Sequence, residues 1–409
     1  MLSGFLRDAP GSALTNGGKK YILKAVPHKA CKEGIMQQSQ TASPSGIDPR
    51  NPFDNPTENR DYNLDYSDIL PPVTAPGYEL PVLPAKLERA NIRRLYNLGG
   101  GMLLLHLVIT NVVATILYTI FPLVLAGVDR RLNGSLPDNY DTIVSSYISS
   151  SSLSMAMNAF VFLLGNTGVF LLGCRWAQIP VGSLFQTKKL TVPTMLRYMG
   201  LGLFLQLVSA LLATFVDDLL VKGGYGTYTP DFSLSGNKLQ LAAMILSTCL
   251  VAPITEELLY RGFFLKVMSR VSQRFGIFMS ALFFSLAHEN IAQGILTFLV
   301  GILLGYIATK HDSIIPCMVV HFTINSYSML ASLLNSYDQE LANIFSGLTA
   351  VIILVGGAVL FVYTLLKERL PDNTPRQSLR CGRIAIGAWP LVLTAAIHIG
   401  AALLYMNAG

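Results

Sequence analysis

A chain of 409 residues of which 51% are hydrophobic and only 13% charged is not built like a soluble globular protein, in which roughly a quarter of residues are charged. The formal net charge is +6, but outside the N-terminal segment the basic residues mostly flank long apolar runs, so membrane topology accounts for the excess without nucleic-acid binding. The five cysteines, Cys31, Cys174, Cys249, Cys317 and Cys381, stand singly along the chain, and nothing in their spacing suggests a disulfide framework, a zinc ribbon or an iron–sulfur site.

Residues 1–84 contain the turn-rich stretches Ser43-Pro44-Ser45-Gly46 and Asn51-Pro52-Phe53-Asp54-Asn55-Pro56, many Asp and Asn, and no sustained periodicity. They are expected to form a disordered cytoplasmic tail, long enough to bind a protein partner that its sequence does not name. No charged-then-apolar secretory pattern opens the chain, so the first membrane helix is expected to direct insertion.

From Gly99 onward, apolar runs recur near the roughly 20 residues needed to cross a bilayer, and in hydrocarbon such runs must be helices that satisfy their own backbone. The expected spans are 100–128, 152–173, 195–216, 239–270, 276–288, 291–309, 314–335, 344–366 and 384–406. The fold class is therefore all-α, a polytopic transmembrane bundle of about nine helices. Its expected divisions are the tail 1–84, membrane helices one to three in 85–238, a core of helices four to seven in 239–335, and the last two helices in 336–409. With the N-terminus in the cytoplasm, seventeen basic residues from Lys86 to Arg383 fall on the cytoplasmic side, and only Arg130, Arg131, Lys222 and Lys238 on the other. That asymmetry is the one expected when positive loops stay inside, and it places the C-terminus outside, in a multi-pass protein of the plasma membrane.

Within helix four stands Thr255-Glu256-Glu257-Leu258-Leu259-Tyr260-Arg261-Gly262. A charge at the bilayer centre costs at least about 2.5 kcal/mol on insertion scales, and ionisable residues there face the protein interior or a watery cavity. Three further polar groups follow: His288 closes helix five, four residues after Phe284, and His321 and Asn325 lie four apart in helix seven, on one helical face. Glu257 and Arg261 share that spacing and are expected to pair. Glu256 precedes Ser272, the expected turn between helices four and five, by as many residues as His288 follows it. At about 1.5 Å per residue both would lie roughly 24 Å from the turn, which makes contact between them geometrically feasible. Pro316 is a candidate kink between the basic end of helix six and His321, and the short helix five suggests a hairpin that stops inside the membrane.

Two carboxylates and two imidazoles around water suit hydrolysis. A Glu can take a proton from water and hand it to a leaving amine, while His or amide donors hold the oxyanion. Glu256, His288 and His321 could equally ligate zinc or another divalent metal with water in an open position.

Glu256-Glu257-x-x-x-Arg261, Phe284-x-x-x-His288 and His321-x-x-x-Asn325, in this order on successive membrane segments, resemble the signature of the CPBP family, which comprises type II CAAX prenyl endopeptidases and bacteriocin-processing or immunity proteins. The resemblance implies that Glu256 activates water with help from His288. It also implies that His321 and Asn325 stabilise the oxyanion or contribute to a metal site, and that Glu257 and Arg261 position Glu256. The implied substrate is a membrane-associated peptide or lipidated protein, prenylated or bacteriocin-like. A non-proteolytic immunity factor or scaffold is the alternative within the family, and a proton-coupled secondary transporter is the alternative outside it. Phe284 is expected to pack and shape the cavity. His106 and His398, lone in apolar helices, are expected to be structural, His311 to be solvated, and Asn166 and Gln206 to join helices.

Overall fold

A computed structural model describes residues 85–134, 151–187, 190–225, 238–368 and 381–407. The reading of 1–84 as a disordered tail falls outside the described residues. Every regular element among the described residues is helical, as a lipid-embedded backbone requires.

In chain order, α1 comprises Ala85–Thr115, a π-helical turn Ile116–Ile120 and Phe121–Asn133; α2 is Ser151–Trp176, α3 Val192–Lys222 and α4 Lys238–Met268. They are followed by α5 (Gln273–Leu286), α6 (Ile291–His311), α7 (Ile315–Tyr337), α8 (Gln339–Lys367), α9 (Cys381–Ile386) and α10 (Trp389–Asn407). Seven of these, α1 to α4 and α6 to α8, are long and apolar enough to cross a bilayer, so the chain is an integral membrane protein. The two other expected spans are also apolar helices but shorter ones, α5 and α10. The 14 residues of α5 give roughly 21 Å of helix, short of a hydrocarbon core about 30 Å thick. The last expected span is broken into α9 and α10 around Gly387 and Ala388, because Pro390 has no N–H to give and crowds the carbonyl four residues back. Pro316, by contrast, kinks nothing: it lies in the first turn of α7, where its missing N–H has no helical partner to lose.

At the centre stands α4, packed against α1, α2, α5, α6 and α7. Its last turns, from Leu259 to Met268, are buried throughout, as are Ser269 and Arg270 just beyond. Two glycines let α2 and α4 come close, since a Cβ on Gly173 would stand 2.6 Å from the Phe263 ring, and one on Gly262 would stand 2.9 Å from Phe170. Such small-residue contacts drive helix association where lipid supplies no hydrophobic incentive. On the periphery, α8 leaves Leu348, Val351, Ile352, Val355 and Val359 exposed, as a surface against acyl chains would be.

α4 is not a regular helix. Two π-helical stretches, Leu246–Val251 and Leu258–Phe264, flank the short α-helical piece Ala252–Glu257. Pro253 explains the first: the Ala252 N–H reaches back five residues to the Ser247 carbonyl, and Pro253 has no N–H at all. The Thr248 carbonyl is thus deprived of its ordinary helical donors. Wide turns of this kind concentrate at functional sites.

One end of the bundle is tied by charge. Glu368, just past α8, pairs with Arg197 at the start of α3 and, at 2.6 Å, with Lys310 at the end of α6, and it accepts a hydrogen bond from Tyr306. Burial alone would raise the pKa of this carboxyl, but the hydrogen bonds from Lys310 and Tyr306 and the charges of Lys310 and Arg197 hold it below its ordinary value, so it is ionised at neutral pH. Three ends that the charge pattern assigns to one side of the membrane therefore meet. His311 belongs to the same end, and the expectation that it is solvated is wrong: it is 8% exposed, with Nε2 2.9 Å from the Tyr198 hydroxyl. Lys266 and Arg270 are likewise covered by protein rather than released into a loop, and Arg270 donates to the Ala177 carbonyl after α2.

Candidate active site

The site forms where the irregular middle of α4 faces α5, α6 and α7. Glu256 and Glu257 are adjacent in sequence, yet their surroundings differ sharply. Glu257 is 0% exposed, and its Oε1 accepts from Arg261 Nη1 at 2.9 Å and from His321 Nδ1 at 3.0 Å. Glu256 retains 17% exposure and, among the described residues, has no hydrogen-bond partner; its nearest charged neighbour is His321, with Nε2 3.8 Å from Oε2. Consecutive helical positions diverge by about 100°, so one carboxylate points into the protein and the other into the space between helices.

Arg261 is also fully buried. Its guanidinium lies 4.3 Å from the centre of the Phe284 ring and reaches the Gly301 carbonyl on α6 at 3.4 Å. A Cβ on Gly301 would stand 3.3 Å from Arg261 Nη2 and 3.1 Å from Ala281, so any larger residue would press on the guanidinium by a few tenths of an ångström. A buried ion pair survives when hydrogen bonds and partners satisfy its remaining groups. Here the pair becomes a triad, because Glu257 bridges Arg261 and His321. The Nδ1–H of His321 is committed to Glu257, and that leaves Nε2 directed at Glu256.

His288 arrives by another route. It sits two residues past α5, its Nδ1 donating to the Phe284 carbonyl at 2.8 Å, so its Nε2 is the free nitrogen. The Phe284 ring joins the two histidines, with centroids 5.0 Å from His288 and 5.8 Å from His321, both edge-on. Tyr260 adds a third edge-on contact at 5.3 Å. Phe284 is thus the hub of an aromatic cluster that also carries the arginine. Equal spacing from the turn made contact between His288 and Glu256 feasible. Among the described residues neither a hydrogen bond nor an ion pair joins them, and the histidine closest to Glu256 is His321. The count assumed continuous helices, whereas α4 contains two wide turns and α5 ends before His288.

Asn325, one turn beyond His321, donates through Nδ2 to the Thr248 carbonyl at 2.9 Å. That is the carbonyl left without a helical donor by Pro253, so Asn325 repairs the break in α4 and fastens α7 to it. Asn166 of α2 donates to Thr255 Oγ1 at 3.0 Å, beside Glu256. Gly301, Thr248 and Asn166 were not assigned to the site from sequence. Pro253, three residues before Glu256, is the signal from which the Asn325 contact could have been anticipated.

A metal centre was one expectation for Glu256, His288 and His321. Among the described residues, no three His, Cys, Asp or Glu side chains are grouped so that they could hold a metal ion. His321 has one nitrogen spent on Glu257, and His288 approaches Phe284 rather than Glu256. The donor set does not fit a three-ligand centre in this arrangement, and no step below is routed through a metal.

Residues 238–327, from the start of α4 to the middle of α7, match the family model described as type II CAAX prenyl endopeptidase Rce1-like. This segment is a CAAX-type protease family domain. No curated protein and no solved structure matches the chain.

Proposed function

We propose that this protein is an intramembrane endopeptidase that hydrolyses a peptide bond near the lipidated end of a membrane-associated substrate, with Glu256 as general base. The observation that carries the reading is the division of labour between the paired carboxylates: Glu257 is sealed and holds both Arg261 and His321 through Oε1, whereas Glu256 is partly exposed, without a hydrogen-bond partner, and faces an oriented imidazole. In the reaction Glu256 takes a proton from water as its oxygen attacks the scissile carbonyl. The C–O bond forms, and the tetrahedral oxyanion is stabilised by His321, whose ring Glu257 orients, and by the second N–H of Asn325. Collapse breaks the C–N bond, and Glu256 returns the proton to the leaving amine. His288, through its free Nε2, assists the water. The family match supports a protease, and the prenyl endopeptidase description of that family points to a prenylated C-terminal peptide as the substrate to try first. The excess of basic residues around the C-terminal end of α4 supports a cytoplasmic position for it, and in this reading of a plasma-membrane protein the substrate enters from the cytoplasmic leaflet.

The test is reconstitution of the full chain in liposomes with a farnesylated C-terminal peptide, following product release by mass spectrometry. Cleavage is expected, slower for the unlipidated peptide, and undiminished by a zinc chelator. No cleavage of either peptide would overturn the proteolytic reading in favour of an immunity or scaffold role. Loss with chelator and recovery with zinc would overturn direct activation of water by Glu256.

A further inference from the structure

The last helix lies outside the segment matched to the protease family, yet it touches the turn that carries His288. Nδ1 of His398, on α10, is 2.9 Å from Oε1 of Glu289, the residue that follows His288. The His398 side chain is 7% exposed and that of Glu289 28%, so the contact lies largely inside the protein. His398, expected to be a lone structural histidine, therefore has a partner, and the partner adjoins a candidate site residue.

The backbone of that turn is unusual at the same position. Glu289 has φ 51°, the left-handed conformation that ends a helix and ordinarily falls to glycine, because a side chain there is strained. Its N–H closes the turn on the Leu286 carbonyl at 3.1 Å, and the His288 N–H reaches Ser285 at 3.2 Å. On the far side Asn290 caps α6 through Gln293, and Ser285 Oγ donates to the Gly294 carbonyl at 2.7 Å. A glycine at 289 would make the same turn without strain but could not reach α10.

We infer that Glu289 and His398 are positioning residues: the hydrogen bond from α10 fixes the turn between α5 and α6, and through it the direction of the His288 ring. This inference rests on the proposed endopeptidase reading, in which His288 assists the water. It extends the working site to a helix beyond the matched segment. Neither residue touches the reacting atoms. Their contribution is to hold a side chain whose displacement by about 1 Å is enough to cost a large part of the rate.

The experiment uses the full chain in liposomes with the farnesylated peptide, comparing Glu289→Gly, His398→Leu, His398→Asn and the Glu289→Gly/His398→Leu double variant. Glu289→Gly suits the left-handed backbone and His398→Asn keeps a donor near the Nδ1 position, so both should fold. The expected result is a fall in kcat of about tenfold or more for Glu289→Gly and for His398→Leu, with KM nearly unchanged. The double variant should be no worse than either single one, and His398→Asn should recover most of the rate. Deuterium exchange of the turn amides at 287–290, read by mass spectrometry, should be faster in His398→Leu and unchanged in His398→Asn, whether or not the preparation cleaves peptide. Wild-type kcat in Glu289→Gly, a double variant that multiplies the two losses, or turn exchange indifferent to His398 would each overturn the inference. Failure of the endopeptidase reading itself shows differently, as a wild-type chain without activity or a Glu256→Gln chain that retains it.

Discussion

Replacing Glu256 by Gln lowers kcat/KM for the lipidated peptide by about two to four orders of magnitude, the usual contribution of a general base, and leaves the thermal unfolding midpoint in detergent essentially unchanged. The asymmetry follows from the site. Among the described residues Glu256 has no hydrogen-bond partner and retains 17% exposure, so the amide orphans no neighbour and fills the same volume. It cannot, however, accept a proton from water. The same substitution at Glu257 should behave in the opposite way on stability, because that side chain is 0% exposed and holds both Arg261 and His321. Initial rates and melting curves on the two variants side by side check the assignment. Equal losses of activity and stability at both positions would mean that the carboxylates share one structural role.

Arg261→Leu should be among the most destabilising single substitutions in the core, by about 3–5 kcal/mol, the cost of leaving a buried partner charge uncompensated. The Arg261 guanidinium is enclosed by Glu257 at 2.9 Å, the Phe284 ring at 4.3 Å and the Gly301 carbonyl at 3.4 Å. Removing it strands a carboxylate with only His321 to balance it. A Glu257→Met/Arg261→Met double variant should regain much of the stability, since well-packed apolar pairs often replace buried ion pairs without loss. It should not regain activity, because His321 would lose the acceptor that orients its ring. Chemical denaturation in mild detergent micelles, paired with the peptide assay, separates the two effects. Arg261→Leu as stable as wild type would show that the pair carries no structural load.

Much of the architecture was legible in sequence because hydrocarbon leaves so few options. Apolar runs must be helices, and nine apolar helices are found close to where their runs predict. Crossing was harder to read than existence: α5 is apolar like its neighbours, and only its length of 14 residues sets it apart. The Glu257–Arg261 pair was legible for the same reason as any i, i+4 pair, since four residues return a helix to the same face. The pairing of His321 with both carboxylates was not, because it depends on how α7 leans on α4 across 64 residues of chain. Distance counted along helices made contact between Glu256 and His288 feasible but could not show that His321 would be the histidine at 3.8 Å from Glu256, since wide turns interrupt α4. Pro253 carried that information, and a reading alert to missing backbone donors would have found both the break and the need for Asn325. His398 was unreadable for a different reason: Glu289 is 109 residues away, and no periodicity connects them.

The central claim, that water activated by Glu256 attacks the peptide bond directly, is tested most directly by a single turnover in heavy-oxygen water with enzyme in excess over the farnesylated peptide. One heavy oxygen is expected in the new carboxylate of the product and none in the enzyme peptide that contains Glu256. Heavy oxygen in that enzyme peptide, the mark of a covalent acyl intermediate on the carboxylate, would contradict it.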